Sequence, residues 1–155
     1  NLEKVKTSGV QFIWQTGKYY NKQITEELKG KLPSNLIVTD FISDMGAAYT
    51  AADLVISRAG ASSISEFCLI GKPVILVPSP NVAEDHQTKN AMALVNKQAA
   101  IYVKDSDAPD CLLEQAIKLI KDDDKLKNLS ENILKLALPD SADIIAKEVI
   151  KMIRK

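Results

Sequence analysis

An apolar run from Leu54 to Ile56 ends in Arg58 and a turn of small residues, Ala59-Gly60-Ala61-Ser62-Ser63, and a helical pattern carrying Glu66 follows. These residue types in this order describe an anion site with an acid behind it. Phosphate groups favour the free N–H groups and positive dipole end of a helix, and Gly60 lets the backbone approach them closely. A second apolar run, Pro73 to Val77, breaks at Pro78 and Pro80 and brings Glu84, Asp85, His86, Gln87 and Asn90 to the start of the next helix. Two polar loops therefore leave neighbouring strands at their C-terminal ends, where open α/β sheets bind ligands.

The elements that position these loops alternate between strand-like and helix-like patterns, which predicts a parallel sheet with flanking helices. Strands are expected over Val10–Gln15, Leu36–Thr39, Asp53–Ser57, Val74–Val77 and Ala99–Val103. Helices are expected over Tyr19–Lys29, Asp44–Ala52, Ser62–Ile70, Asp85–Asn96, Ala108–Lys121, Asp124–Leu136 and Asp140–Ile153, with Asn1–Thr7 as the end of another. Gly71 stops the Ser62–Ile70 pattern, because glycine tolerates the left-handed conformation that follows a helix end. Asp122-Asp123-Asp124 reads as a solvated helix boundary.

At 155 residues and 46% apolar content, the chain suffices for one core and is too short for two full domains. Lys and Arg total 20 against 20 Asp and Glu, so no global basic field recruits nucleic acid or anionic lipid. Cys68 and Cys111 lack metal-ligand spacing and read as buried thiols of a reducing, cytoplasmic compartment. No apolar segment approaches the roughly 20 residues needed to span a bilayer, and no signal peptide opens the chain.

Taken singly, the site residues keep two readings. Glu66 is either an exposed helical acid or a ligand group, and Ser62 and Ser63 are either helix caps or phosphate contacts, two roles that are compatible. Arg58 is either a ligand group or a structural ion-pair partner. Phe41 and Ile42 read by composition as core residues, and His86, the single histidine, as a surface or capping residue.

The motifs in series add a resemblance. They are Trp14-Gln15-Thr16-Gly17-Lys18, Phe41-Ile42-Ser43-Asp44-Met45, Ser57 to Glu66, Gly71-Lys72-Pro73 and Glu84 to Ala91. In this order they resemble the C-terminal, nucleotide-sugar half of the bacterial transferases that convert lipid I to lipid II with UDP-N-acetylglucosamine (UDP-GlcNAc). The match runs to about Val103, and the tail after Asp105 is generic.

The resemblance implies a Rossmann-like domain, the C-terminal half of a GT-B glycosyltransferase, and inverting transfer of GlcNAc in peptidoglycan synthesis. Its substrate-binding set maps onto Phe41, Ile42, Arg58, Ala61, Ser62, Ser63, Glu66, His86, Gln87 and Asn90. The Phe41–Ile42 loop frames uracil through the Ile42 backbone, and Glu66 takes the ribose hydroxyls. The N–H groups around Ser62 and the Ser63 hydroxyl face the diphosphate and stabilise the leaving group, while His86, Gln87 and Asn90 meet the sugar. Neither metal nor cofactor is implied, and the general base is expected outside this chain.

The implied partners are UDP-GlcNAc, the lipid I acceptor and the inner membrane surface, met peripherally from the cytoplasmic side. In such proteins this half opens with a strand, a Gly-rich loop and the helix whose end matches Asn1–Thr7. A preceding strand and loop, and an acceptor- and membrane-binding domain before them, are therefore expected upstream. Alternatives are a donor-binding subunit with a separate acceptor subunit, another UDP-sugar transferase making a glycolipid, and a non-catalytic sugar-nucleotide binding module.

Overall fold

In the computed structural model, residues 1–81 and 85–153 are described; Glu84 of the second loop lies outside them. Helix α1 (Leu2–Thr7) leads to β1 (Phe12–Gln15), α2 (Lys18–Leu28), β2 (Leu36–Thr39), α3 (Met45–Ala51) and β3 (Val55–Ser57). Then follow α4 (Ala61–Ile70), β4 (Val74–Leu76), α5 (His86–Val95), β5 (Ile101–Tyr102) and a 3-10 turn (Asp105–Asp107). The chain ends in α6 (Ala108–Leu119), α7 (Asp123–Leu134) and α8 (Ser141–Ile153).

Every strand pair is parallel. β1 pairs with β2, setting Phe12 opposite Leu36 and Gln15 opposite Thr39. β3 pairs with β4, Val55 opposite Val74, and β4 with β5, Ile75 opposite Ile101. Among the described residues the ladders form two sheets, β1-β2 and β3-β4-β5. β5 is shorter than its apolar run because the Ala99 N–H turns back to the Leu94 carbonyl at 3.0 Å, closing α5 instead of joining a ladder.

β4 is the centre of the larger sheet, and Val74, Ile75 and Leu76 are each 0% exposed. A strand covered on both faces reads as a continuous apolar run, as this one does. Its side chains alternate between two cores. Val74 and Leu76 pack with Phe67 of α4 and with Ala91 and Leu94 of α5, whereas Ile75 and Val77 pack with Ala116 and Leu119 of α6. Helix α7 serves both, with Ile133 in the first and Leu129 in the second.

The expected helix boundaries have visible causes. The Asp44 carboxylate accepts from the Ala47 N–H at 2.8 Å at the start of α3, and Asp122 accepts from the Lys125 N–H at 3.0 Å, so the aspartate run is a capped helix start. Gly71 ends α4 at φ 65° and ψ 26°. Two contacts tie this point to α7: the Ser130 hydroxyl donates to the Gly71 carbonyl at 2.6 Å, and Leu134 packs over the α-carbon. Cys68 is buried and Cys111 half-buried, both as free thiols. Helix α8 buries none of its described residues, leaving Ile145 64% and Ile153 78% exposed. No helix among the described residues is long and apolar enough to cross a membrane.

A Cβ at Gly71 would lie 2.6 to 2.8 Å from three carbons of Leu134, in a backbone conformation that L side chains rarely adopt. Gly71→Ala is therefore expected to lower stability by about 2–4 kcal/mol, from the left-handed backbone and overpacking together. Urea unfolding checks this; a midpoint equal to wild type would show that Leu134 yields without cost.

Candidate functional site

The β3–α4 turn builds a helix start with free backbone amides. Gly60 is the N-cap of α4, in extended conformation at φ −67° and ψ 144°, and among the described residues no side chain caps the helix. The Ile64 N–H makes the first intrahelical bond, to the Gly60 carbonyl at 3.0 Å. The N–H groups of Ala61, Ser62 and Ser63 precede that bond and lie at the positive end of the helix dipole. Ser62 and Ser63 thus sit inside the first turn, where their own amides face outward, rather than at the cap. Ala61 and Ser62 are exposed and Ser63 is half-buried.

What holds this turn in place comes from α5. Ala59 is 0% exposed, so its backbone groups must find protein partners. Its N–H donates to Gln87 Oε1 at 3.2 Å, and the same oxygen accepts from the Ser79 N–H at 2.9 Å. Asn90 Nδ2 donates to the Ala59 carbonyl at 3.2 Å. Both amide orientations are dictated, because two N–H donors converge on one side chain and a carbonyl faces the other. Gln87 and Asn90, three residues apart on one helix face, therefore join the β3–α4 and β4–α5 loops. The Gln87 Nε2 points of donation are not used in these bonds.

Arg58 adds a third strand end to the same junction. Its guanidinium pairs with Asp105, just beyond β5, and donates to the carbonyls of Val77 at 3.1 Å and Pro78 at 3.4 Å, just beyond β4. In this arrangement Arg58 is engaged as a structural partner. His86 opens α5 after Asp85, which adopts the left-handed conformation at φ 55° and ψ 33°; both are exposed.

Glu66 is exposed on the second turn of α4, and its Oε2 accepts from the Tyr49 hydroxyl of α3 at 3.0 Å. The Tyr49 ring packs edge-on against the buried Phe67, with centroids 5.9 Å apart. Burial first, and then the hydrogen bond to Glu66 and its charge, push the Tyr49 phenol up to about 12. Ahead of α3, the β2–α3 loop carries Phe41, which is 63% exposed and so departs from the core placement that composition suggested; Ile42 is half-buried. The Ile42 N–H donates to Gln15 Oε1 at the end of β1, at 2.8 Å.

The fold thus gathers Arg58, Ala61, Ser62, Ser63, Gln87 and Asn90 around one buried residue, Ala59, and links Glu66 to the element that follows Phe41 and Ile42. Sequence reasoning missed the partners Gln15, Tyr49, Ser79 and Asp105. Gln15 stood inside a quoted motif, but the other three carry no local signal, since Asp105 is 47 residues from Arg58 and Tyr49 is 17 from Glu66.

Gln87→Ala is expected to leave the Ala59 and Ser79 N–H groups without their acceptor and to cost about 1–3 kcal/mol of stability. Amide hydrogen exchange at Ala59 and Ser79 is the direct measurement. Exchange rates unchanged from wild type would show that the Gln87 oxygen does not hold the loops.

Comparison with known proteins places this geometry. The family described as "Glycosyltransferase family 28 C-terminal domain" matches residues 1–145. A protein of Bacteroides thetaiotaomicron named "UDP-N-acetylglucosamine--N-acetylmuramyl-(pentapeptide) pyrophosphoryl-undecaprenol N-acetylglucosamine transferase" is 70% identical over 95% of this chain and 40% of its own length. A protein of the same name from Parabacteroides distasonis is 56% identical over 100% of this chain and 42% of its own. Among solved structures, MurG of Acinetobacter baumannii superposes with a TM-score of 0.77 at 30% identity, covering 90% of this chain and 40% of that one. The chain therefore spans about two fifths of the relatives it matches. This solved neighbour is a GT-B glycosyltransferase, which agrees with the parallel strands and flanking helices. By its sequence over nearly its whole length and by its fold, the chain belongs to glycosyltransferase family 28, as the C-terminal domain of that family.

Proposed function

We propose that this chain is the donor-binding domain of an inverting N-acetylglucosaminyltransferase. It holds UDP-GlcNAc while GlcNAc passes to lipid I, undecaprenyl-diphosphate-MurNAc-pentapeptide, to give lipid II. The observation that carries the reading is the uncapped start of α4, with the N–H groups of Ala61, Ser62 and Ser63 held outward by the bonds of Gln87 and Asn90 to Ala59. The activity named for the relatives supports the choice of donor and acceptor.

In this mechanism an acceptor hydroxyl attacks the anomeric carbon from the face opposite the diphosphate, and UDP departs. Negative charge grows on the leaving diphosphate, so fixed N–H dipoles and the α4 terminus stabilise the transition state more than the ground state. Glu66 accepts from the ribose diol and the Ile42 backbone meets uracil, with Phe41 beside it. The carbonyl of Ile42 is the ready partner for the base, since Gln15 holds its N–H. His86 and the Nε2 amide of Gln87 face the sugar, with Asn90 behind them. The acceptor, the general base and the membrane contact belong to a preceding domain, and the working protein sits peripherally on the cytoplasmic face of the bacterial inner membrane. A preceding strand and Gly-rich loop complete the sheet; the separation of β1-β2 from β3-β4-β5 supports this.

Calorimetry on the full-length protein tests donor binding. UDP and UDP-GlcNAc are expected to bind in excess chelator, because amides, hydroxyls and a helix dipole meet the diphosphate; binding that requires added magnesium or manganese overturns this mode. Glu66→Ala is expected to cost about 1.5–3 kcal/mol of UDP affinity, roughly ten- to a hundredfold, with folding stability retained. The 2',3'-dideoxy analogue of UDP is the control, and an equal loss for both ligands rejects the diol assignment. Conversion of lipid I to lipid II by the same preparation tests the reaction; intact donor and acceptor would instead mark a binding module.

A further inference from the structure

We propose that Tyr49 is a positioning residue for the donor's ribose, holding the Glu66 carboxylate in the orientation that receives the diol. The inference rests on the reading of Glu66 as the ribose acceptor and adds a residue to it. Three features of the geometry carry it.

The first is the anchoring of Tyr49. Its ring is half-buried against the core beneath β4 and meets Phe67 edge-on, with an interplanar angle of 87°, so the hydroxyl is presented from a fixed base. Glu66 by contrast is exposed on α4 and has three rotatable side-chain bonds, whose freedom is lost whenever the carboxylate is ordered. A hydroxyl donating to Oε2 at 3.0 Å restricts that freedom before any ligand arrives. Preorganisation of this kind improves affinity without adding a contact to the ligand.

The second is capacity. A carboxylate offers about four lone-pair sites on its two oxygens, so one bond from Tyr49 leaves acceptors for both hydroxyls of a vicinal diol. Tyrosine suits the role because its phenol, pushed up to about 12 by burial and by Glu66, stays protonated and donating at neutral pH.

The third is connectivity. Tyr49 lies on α3, which begins at the Asp44 cap just beyond Phe41 and Ile42, and Glu66 lies on α4, which begins at the phosphate-facing turn. The Tyr49–Glu66 bond is thus a side-chain link between the segment proposed to frame the base and the helix proposed to hold diphosphate and ribose. A link of this kind sets the distance between the two subsites for one nucleoside diphosphate.

The test compares Tyr49→Phe, Glu66→Ala and the double variant of the full-length protein, by calorimetric titration with UDP and with 2',3'-dideoxy-UDP. Tyr49→Phe keeps the ring and its packing on Phe67 and removes only the hydroxyl, so the melting temperature serves as a check on folding. The expected result is UDP affinity lower by about three- to tenfold, because Glu66 must then be ordered as the ligand binds, with dideoxy-UDP affinity unchanged. In the Glu66→Ala background, Tyr49→Phe is expected to have no further effect on UDP. A structural role alone would weaken both ligands together. If Glu66→Ala discriminates between the ligands while Tyr49→Phe binds UDP as wild type does, or loses both ligands equally, the positioning role is overturned and the ribose reading stands. If Glu66→Ala itself fails to discriminate, the ribose reading falls and takes the positioning role with it.

Discussion

The site depends on the backbone of one buried residue, Ala59. With no exposed surface it has no water to satisfy its N–H and carbonyl, and both find partners on α5, in Gln87 and Asn90. Each such bond contributes only about 1 kcal/mol net, but an orphaned buried group costs about 1–3 kcal/mol, so the pair strongly disfavours any placement of the turn that breaks it. The direction of the α4 N-terminus follows from that placement. Because the Gln87 oxygen also accepts from Ser79, it couples the β3–α4 and β4–α5 loops.

Arg58 extends the same logic by one residue. Its guanidinium reaches carbonyls beyond β4 and the carboxylate of Asp105 beyond β5, so the C-terminal ends of the three strands of the larger sheet are joined around a single side chain. Its side chain remains 55% exposed, and an exposed ion pair alone adds little stability. The value of the arrangement lies in direction: two carbonyls and a carboxylate converge on one guanidinium nitrogen, Nη1, which fixes how the loops face one another. A site carried at strand ends gains precision from the strands beneath it, and here that base is β4, with side chains buried on both faces.

Binding chemistry and stability are separated along the chain. The groups proposed to meet the donor come from the segment ending near Asn90, whereas α6 and α7 supply packing: Ala116, Leu119 and Leu129 fill one core, Ile133 the other, and Ser130 holds the end of α4 through Gly71. With 20 basic and 20 acidic residues, the attraction proposed for a diphosphate rests on local dipoles rather than on the field of the whole chain.

The order of elements, the parallel strands and the glycine-led start of α4 were legible in the sequence because each rests on local physics. Periodicity of apolar residues, an aspartate before a helix and a glycine after one act over a few residues, and Asp44, Asp122 and Gly71 do what their neighbours require. The motif series around Ser57 to Glu66 and Gly71 to Pro73 also carried the family. Only the tertiary structure decided how the side chains of those motifs are used. Gln87 reads from sequence as a ligand group, yet its oxygen is engaged by two loops; Phe41 reads as core and stands exposed; Arg58 finds its carboxylate 47 residues away. Tyr49 and Glu66 meet across 17 residues because α3 and α4 are brought together by the packing of Tyr49 on Phe67, a contact set by the fold around β4 and not by either segment's own pattern. Local patterns encode where an element begins and which face is apolar, whereas the partner of a polar side chain is determined by whatever the completed core places within hydrogen-bonding reach.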